Sequence, residues 1–175
     1  LETDFVDEIN QTHKHPFLPN IQLSKDLHFT ASLDEIVEYG DMMVSAIPSQ
    51  VVRKVLIKFP NGWEKPVISV SKGIENQTGM RMSQVISETL SLSPQNIIVL
   101  SGPSHAEEVA QKDPTAIVAA CLDKIGAKEV QSLFSNKHFR VYTSIDVVGV
   151  EFGGAAKNVI ALAVGICKGL GFGDN

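Results

Sequence analysis

The sequence has 175 residues, 43% of them hydrophobic, enough for one solid core and part of a second domain. Its net charge of −5 leaves no basic footprint and argues against nucleic-acid binding. Cys121 and Cys167 match no metal-ligand spacing and read as small packed apolar residues in a reducing, cytoplasmic compartment. The most apolar run, Val159 to Cys167, is too short to span a bilayer, so no membrane insertion is expected.

No signal peptide is visible, and a start at Leu1 rather than Met reads as a cut. Ile9 to Leu23 is polar and broken by prolines (His15-Pro16-Phe17-Leu18-Pro19-Asn20), which predicts a loop. A short strand is expected at His28–Ala31. Ser32-Leu33-Asp34-Glu35 then has the form of a capping box opening a helix that ends near Gly40. Met42–Ile47 reads as a strand stopped by Pro48, and Gln50–Ile57 has helical spacing. Pro60-Asn61-Gly62 turns the chain into a strand at Val67–Val70. Helices are expected at Met80–Leu90, Ser104–Gln111 and Ala127–Phe134, and strands at Ile97–Leu100, Ala116–Ala120 and Arg140–Thr143. Continuously apolar strands alternating with helices predict an α/β fold with a largely parallel sheet covered on both faces.

The pattern changes after Ser144. From Asp146 to about Gly169 nearly every residue is apolar or tiny, which predicts one long helix buried all round. A domain boundary is therefore expected near residue 145.

In an open parallel sheet, ligands bind beyond the carboxyl ends of the strands. Three expected strand ends carry Ile47-Pro48-Ser49-Gln50, Ser71-Lys72-Gly73 and Ser101-Gly102-Pro103-Ser104-His105-Ala106. Gly102-Pro103-Ser104 also opens an expected helix, whose free N–H groups could hold an oxygen; on the turn alone, an ordinary turn with Ser104 as N-cap is the favoured reading. A lone lysine at a strand end, such as Lys72, is commonly just solvated. Lys157 is harder to explain that way. It lies on a helix otherwise free of nearby charge and leans over Gly153 and Gly154, glycines that weaken a helix and clear space before an ammonium group.

These segments resemble the NAD(P)-dependent glycerol-3-phosphate dehydrogenase family, its bacterial branch in particular. The resemblance is carried by His15-Pro16-Phe17-Leu18-Pro19, Ala46-Ile47-Pro48-Ser49, Val70-Ser71-Lys72-Gly73-Ile74-Glu75 and Leu100-Ser101-Gly102-Pro103-Ser104-His105-Ala106-Glu107-Glu108. Further on come Phe139-Arg140-Val141-Tyr142, the run from Val148 to Ala161 around Lys157, and Gly169-Leu170-Gly171-Phe172-Gly173-Asp174-Asn175.

The resemblance implies a Rossmann-like doubly wound sheet in residues 1–145, followed in 146–175 by the first long helix of an all-α substrate domain. It implies reversible hydride transfer between NADH or NADPH and dihydroxyacetone phosphate, giving sn-glycerol 3-phosphate for glycerophospholipid synthesis in a cytoplasmic homodimer. Lys157 would be the proton donor and acceptor. Lys72, Gly102, Ser104 and Asn158 would contact substrate, and Phe17, Pro48, Lys72 and Ala106 the cofactor, with no metal. The turn from Gly171 to Asn175 would lead into an anion-holding helix N-terminus.

The glycine-rich dinucleotide turn and the later acid and basic residues of the family are absent from this sequence, so the segment alone is expected neither to bind cofactor nor to turn over. Two rivals stand on the residues. Gly102-Pro103-Ser104-His105-Ala106 is one substitution from a nucleophile elbow, and Ser104 with Asp113 or Asp123 and His138 has a hydrolase order, although no second oxyanion segment is visible. The other is an inert or binding fragment.

Overall fold

A computed structural model describes residues 3–18, 20–59 and 63–173. The first element is a helix, α1 (Thr3–Thr12), where a loop was expected from Ile9 onward. Val6 and Ile9, three apart, are both buried on one face, and burial outweighs a mediocre helix composition. His13 ends it with φ +50 while its N–H still reaches Ile9 O at 2.7 Å.

The expected strand at His28–Ala31 does not form. Phe29 instead completes both backbone hydrogen bonds on the side chain of Asn10, at 2.8 and 2.9 Å. One amide side chain thus replaces a strand partner.

Helix α2 (Leu33–Tyr39) begins at Ser32, whose hydroxyl accepts from Glu35 N at 3.3 Å. The reciprocal half of the capping box is missing, because the Glu35 carboxylate binds Thr30 at 2.6 Å and His28 at 2.9 Å.

From there the alternation holds. Strand β1 (Met43–Ser45) leads through a 3-10 turn into α3 (Val52–Leu56), then come β2 (Val67–Ser69), α4 (Met82–Leu90) and β3 (Ile97–Ser101). The short helix α5 (Ala106–Ala110) precedes β4 (Thr115–Ala120), α6 (Lys124–Phe134), β5 (Phe139–Ser144) and the long α7 (Val147–Gly169). The turn expected at residues 60–62 lies outside the described residues.

The five strands lie in chain order. β1, β2 and β3 are parallel, as are β4 and β5, while β4 runs antiparallel to β3. The 13 residues between β3 and β4 carry only one and a half turns of helix, so the chain returns along its neighbour rather than crossing over.

Both faces are covered. Met43, Val67 and Ile97 pack with Val52, Leu56, Met82, Val85 and Ile86 of α3 and α4. Ile68, Ile98, Leu100 and Ile117 pack on the opposite face with Ala127 and Val130 of α6. Strand alternation sends odd and even residues of β2 and β3 to different helices, as a doubly covered sheet requires.

The expectation of a helix buried all round fails for α7. Its only buried residues are Val147 and Glu151; beyond Gly154–Lys157 it is exposed, with Val159 at 71%. The apolar composition was read correctly, but composition states what a helix would bury and not what is present to cover it. Cys167 is exposed for the same reason, whereas Cys121 is buried as expected. The whole of α7 is long and apolar enough to cross a membrane by length and composition, unlike the shorter run judged from sequence. Its first two turns nevertheless pack against β3 and β4.

Candidate active site

Because β1, β2 and β3 are parallel, their carboxyl ends reach the same edge of the sheet. The segments beyond them are tied together. Val70 N–H donates to Ser45 O at 3.0 Å, and the Ser71 hydroxyl to Ile47 O at 2.5 Å. Gly73 has φ +132, and a Cβ there would stand 2.7 Å from Ser49 Oγ, so only glycine lets the second turn lie on the first. Gln50 completes the tie, donating to Ile74 O at 2.8 Å and accepting from Asn76 N at 3.0 Å.

The third turn is built differently from expectation. Ser104 is not an N-cap: α5 begins at Ala106 with His105 in the capping position and no side-chain cap. Gly102-Pro103-Ser104 therefore does not open the helix, and its N–H groups are not those of a helix N-terminus. Gly102 serves packing, since its missing Cβ would fall 2.9 Å from Ile117 Cα of β4. Ser104 is free to turn toward the sheet edge, where Lys72 Nζ donates to its hydroxyl across 3.5 Å.

Lys72 lies across the end of the sheet. Its stem runs beside Gly154 of α7, where a Cβ would come 3.6 Å from Lys72 Cγ and 2.8 Å from Ser101 Oγ. Gly154 therefore lets the helix backbone close onto β3 and onto the lysine stem. Gly153, read with Gly154 as clearing space before the Lys157 ammonium group, has nothing within 4 Å of where its Cβ would stand. The Lys72 ammonium is held below the ordinary lysine range, first by burial and then by the positive charge of Lys157. Two elements far apart in sequence thus bring two ammonium groups within electrostatic reach. Among the described residues neither lysine pairs with a carboxylate.

Lys72, though not Lys157, lines a cavity of about 820 Å³. Its floor is apolar (Val70, Leu100, Ile117, Phe139), and Lys72, Ser104 and Ala106 stand on its wall. Of the residues singled out from sequence, Lys72, Gly102, Ser104, Ala106 and Lys157 therefore gather at one edge. Pro48 sits in the neighbouring turn, and Asn158 is exposed on α7. Phe17 stands 80% exposed with its ring tilted on His15, at 5.4 Å between centroids. The proposed anion turn ends at Asp174 and Asn175, outside the described residues.

The hydrolase arrangement does not assemble. Ser104, Asp113 and His138 line the same cavity, yet the described side-chain partner of Ser104 is Lys72, and Asp123 caps α6 through Ile125 N at 3.1 Å. Ser104 also lacks the positive φ of a strained turn.

One residue was passed over in the sequence. Glu151, buried at 6%, accepts from Ser83 N at 2.8 Å and Ser83 Oγ at 2.7 Å and pairs with Arg81. It is the sole acidic residue between Asp146 and Asp174, a signal that could have marked it.

A family model for the NAD-dependent glycerol-3-phosphate dehydrogenase N-terminus matches residues 1–127, and one for the C-terminus of the same family matches residues 146–175. A glycerol-3-phosphate dehydrogenase [NAD(P)+] of Listeria monocytogenes is 46% identical over 174 residues, covering 97% of this chain and 52% of that protein. One of Bacillus subtilis is 45% identical over 176 residues, covering 98% and 51%. The chain thus spans about half the length of these relatives. A solved glycerol-3-phosphate dehydrogenase of Plasmodium falciparum superposes with a TM-score of 0.87 at 27% identity, covering 99% of this chain and 50% of that one.

Proposed function

Since the chain belongs to the NAD-dependent glycerol-3-phosphate dehydrogenase family, we propose that its protein interconverts dihydroxyacetone phosphate and sn-glycerol 3-phosphate, using NADH or NADPH. The observation that carries this reading is the pair Lys72 and Lys157, two cations at the carboxyl edge of a parallel sheet with no carboxylate partner among the described residues. Such a pair repels itself unless an anion joins it, and both a phosphorylated substrate and a dinucleotide are anions.

A nicotinamide held at this edge would supply or accept the hydride at the substrate carbon. The protein's own task is the proton. Reduction of a ketone leaves charge on its oxygen, and Lys157 gives a proton to that oxygen and recovers it in the reverse direction. Lys72 stands between the two anionic ligands and offsets their mutual repulsion. Its depressed proton affinity, set by burial and by Lys157, is restored when an anion enters. Ser104 holds the Lys72 ammonium at the cavity mouth. Gly102 and Asn158 complete our assignment of the substrate side, and Pro48, Ala106 and Phe17, with Lys72, that of the cofactor side.

We further read residues 1–145 as part of the dinucleotide-binding domain and 146–175 as the opening of a helical substrate domain. In that reading the protein is a cytoplasmic homodimer serving glycerophospholipid synthesis. The apolar length of α7 belongs to a packed helix rather than a membrane span, because Glu151 and Lys157 both lie on it and its first turns are docked on the sheet.

The test is an assay of the protein as its gene encodes it, with dihydroxyacetone phosphate and each reduced cofactor. Oxidation of NADH or NADPH that depends on the ketone is expected. No turnover with either cofactor, in a folded preparation, overturns the proposal.

A further inference from the structure

Resting on the reading of Lys157 as proton donor, we infer that Glu151, latched to Arg81 and Ser83 at the start of α4, is the positioning residue that sets where α7 presents Lys157 to the reacting oxygen.

The argument begins with the one face of α7 that touches the rest of the molecule. Val147, Val150, Glu151 and Gly154 follow helical spacing, and Lys157 continues it three residues later. Val147 and Val150 rest on Val99 and Ala120 of the sheet. Gly154 meets Ser101 and the Lys72 stem. Val147 and Val150 make apolar contacts and Gly154 a steric one, so they limit how closely the helix approaches. They fix its rotation and axial position only weakly, because apolar packing is not directional.

Glu151 supplies the direction. Its carboxylate takes the backbone N–H of Ser83 at 2.8 Å and the Ser83 hydroxyl at 2.7 Å, and it pairs with Arg81. Arg81 in turn donates to Ser83 Oγ at 3.1 Å, so the cluster is closed on itself. Ser83 N is one of the free amides of the first turn of α4, and a carboxylate is the preferred partner there. The cluster is the most buried ion pair of the described residues, with side chains 19% and 5% exposed. Three directed bonds to the Glu151 carboxylate, braced by the Arg81–Ser83 contact, set both the rotation of α7 and its slide along the sheet. Lys157 lies six residues on, roughly 9 Å along the axis at the usual helical rise. Past Glu151 no residue of α7 is fully buried and only the steric contact of Gly154 intervenes, so a change in rotation at Glu151 is carried on to Lys157.

A charged latch is also an unexpected choice for simple stability, because well-packed apolar residues hold helices together as well or better. What it adds is a unique register between the helix bearing Lys157 and the sheet bearing Lys72.

The experiment is a double-mutant cycle between Glu151→Gln and Lys157→Met in the protein as its gene encodes it. Turnover, both Michaelis constants and melting temperature are measured for each member. Glu151→Gln keeps the shape and loses the ion pair. It is expected to lower kcat by about 10- to 100-fold, the scale of a misplaced reacting group, with the cofactor Michaelis constant within about twofold. In the Lys157→Met background the same change should cost less than about twofold, because a residue that acts through Lys157 has nothing left to position.

If Glu151→Gln fails to fold, Ser83→Ala and Arg81→Lys take its place in the cycle, each removing only part of the cluster. Equal losses in the two backgrounds would overturn the inference while leaving Lys157 as the donor. So would a folded Glu151→Gln variant with wild-type kcat. A Lys157→Met variant that keeps wild-type turnover would instead remove the reading on which the inference rests, and the two failures are told apart by that single measurement.

Discussion

The two halves of α7 have nearly the same composition and opposite surroundings. Residues 147–157 lie along the sheet, with Val147 and Glu151 buried and Gly154 in contact with Ser101 and Lys72. Residues 158–169 are exposed throughout, including Val159, Ile160, Leu162, Val164 and Ile166. Gly154 has no room for a Cβ, while its neighbour Gly153 and, in the outer half, Gly165 and Gly169 face open space. What separates the halves is directed chemistry. The first holds an acid, a lysine and a close-approach glycine at helical spacing; the second, apart from Asn158 and Lys168, is exposed apolar or small residues.

That contrast breaks most completely if Lys157 proves dispensable. Lys157→Met keeps the length and most of the apolar stem but removes the ammonium group. Turnover should fall by about 100- to 10,000-fold, the usual contribution of a positioned acid, with the melt preserved because Met is a good helix former. Cofactor affinity, measured by calorimetry, should stay near wild type. A variant within about threefold of wild-type turnover would return the whole of α7 to a structural role.

Gly154 and Gly165 provide the sharper comparison. Gly154→Leu drives a side chain into the buried Ser101 and should cost about 1–3 kcal/mol of stability, read from denaturant melts. Gly165→Ala should raise stability by up to about 1 kcal/mol through helix propensity alone. A loss at Gly165 would report a neighbour packed against the outer half, and the difference between the halves would then be one of which partner covers them.

Lys72 tests the electrostatic side. Burial first, and then Lys157, hold its proton affinity below the unfolded reference of 10.5. Between the lowered folded value and 10.5 the unfolded chain binds the proton that the folded chain has lost, so stability rises with pH across that window. Lys72→Met removes the titrating group. Its melting temperature should exceed that of wild type at neutral pH, and the gap should close as pH climbs toward 10.5. A gap that is constant with pH would mean that Lys72 is not perturbed in the folded protein.

The smallest effect separates the cysteines. Burial pushes the Cys121 thiol up, and it donates to Gln95 O at 3.2 Å, whereas Cys167 is exposed on the outer half of α7. A thiol reagent followed by mass spectrometry should label Cys167 first and leave Cys121 until unfolding. Protection of Cys167 would again point to a cover over that half.

Much of the architecture is legible before any coordinates. Runs such as Ile97 to Leu100 are continuously apolar, β-branched at Ile97, Ile98 and Val99, and short, which reads as a buried strand, and the alternation with amphipathic helices follows from them. The residues at the strand ends were less readable: taken alone, Lys72 reads as a solvated lysine and Gly102-Pro103-Ser104 as an ordinary turn, and the resemblance to a family singled them out. Other features depended on partners distant in sequence. Nothing near Phe29 says that Asn10, 19 residues earlier, will supply both of its hydrogen bonds. Val6 and Ile9 make a helix only because a surface exists to bury them. Gly153 and Gly154 are the same residue in the same helix, and only the approach of Ser101 distinguishes them. Local propensity and periodicity are properties of a few neighbouring residues and travel with the sequence. Contact, burial and charge proximity are properties of pairs that meet in space, and for Glu151 with Ser83, or Lys72 with Lys157, only the folded chain decides the meeting.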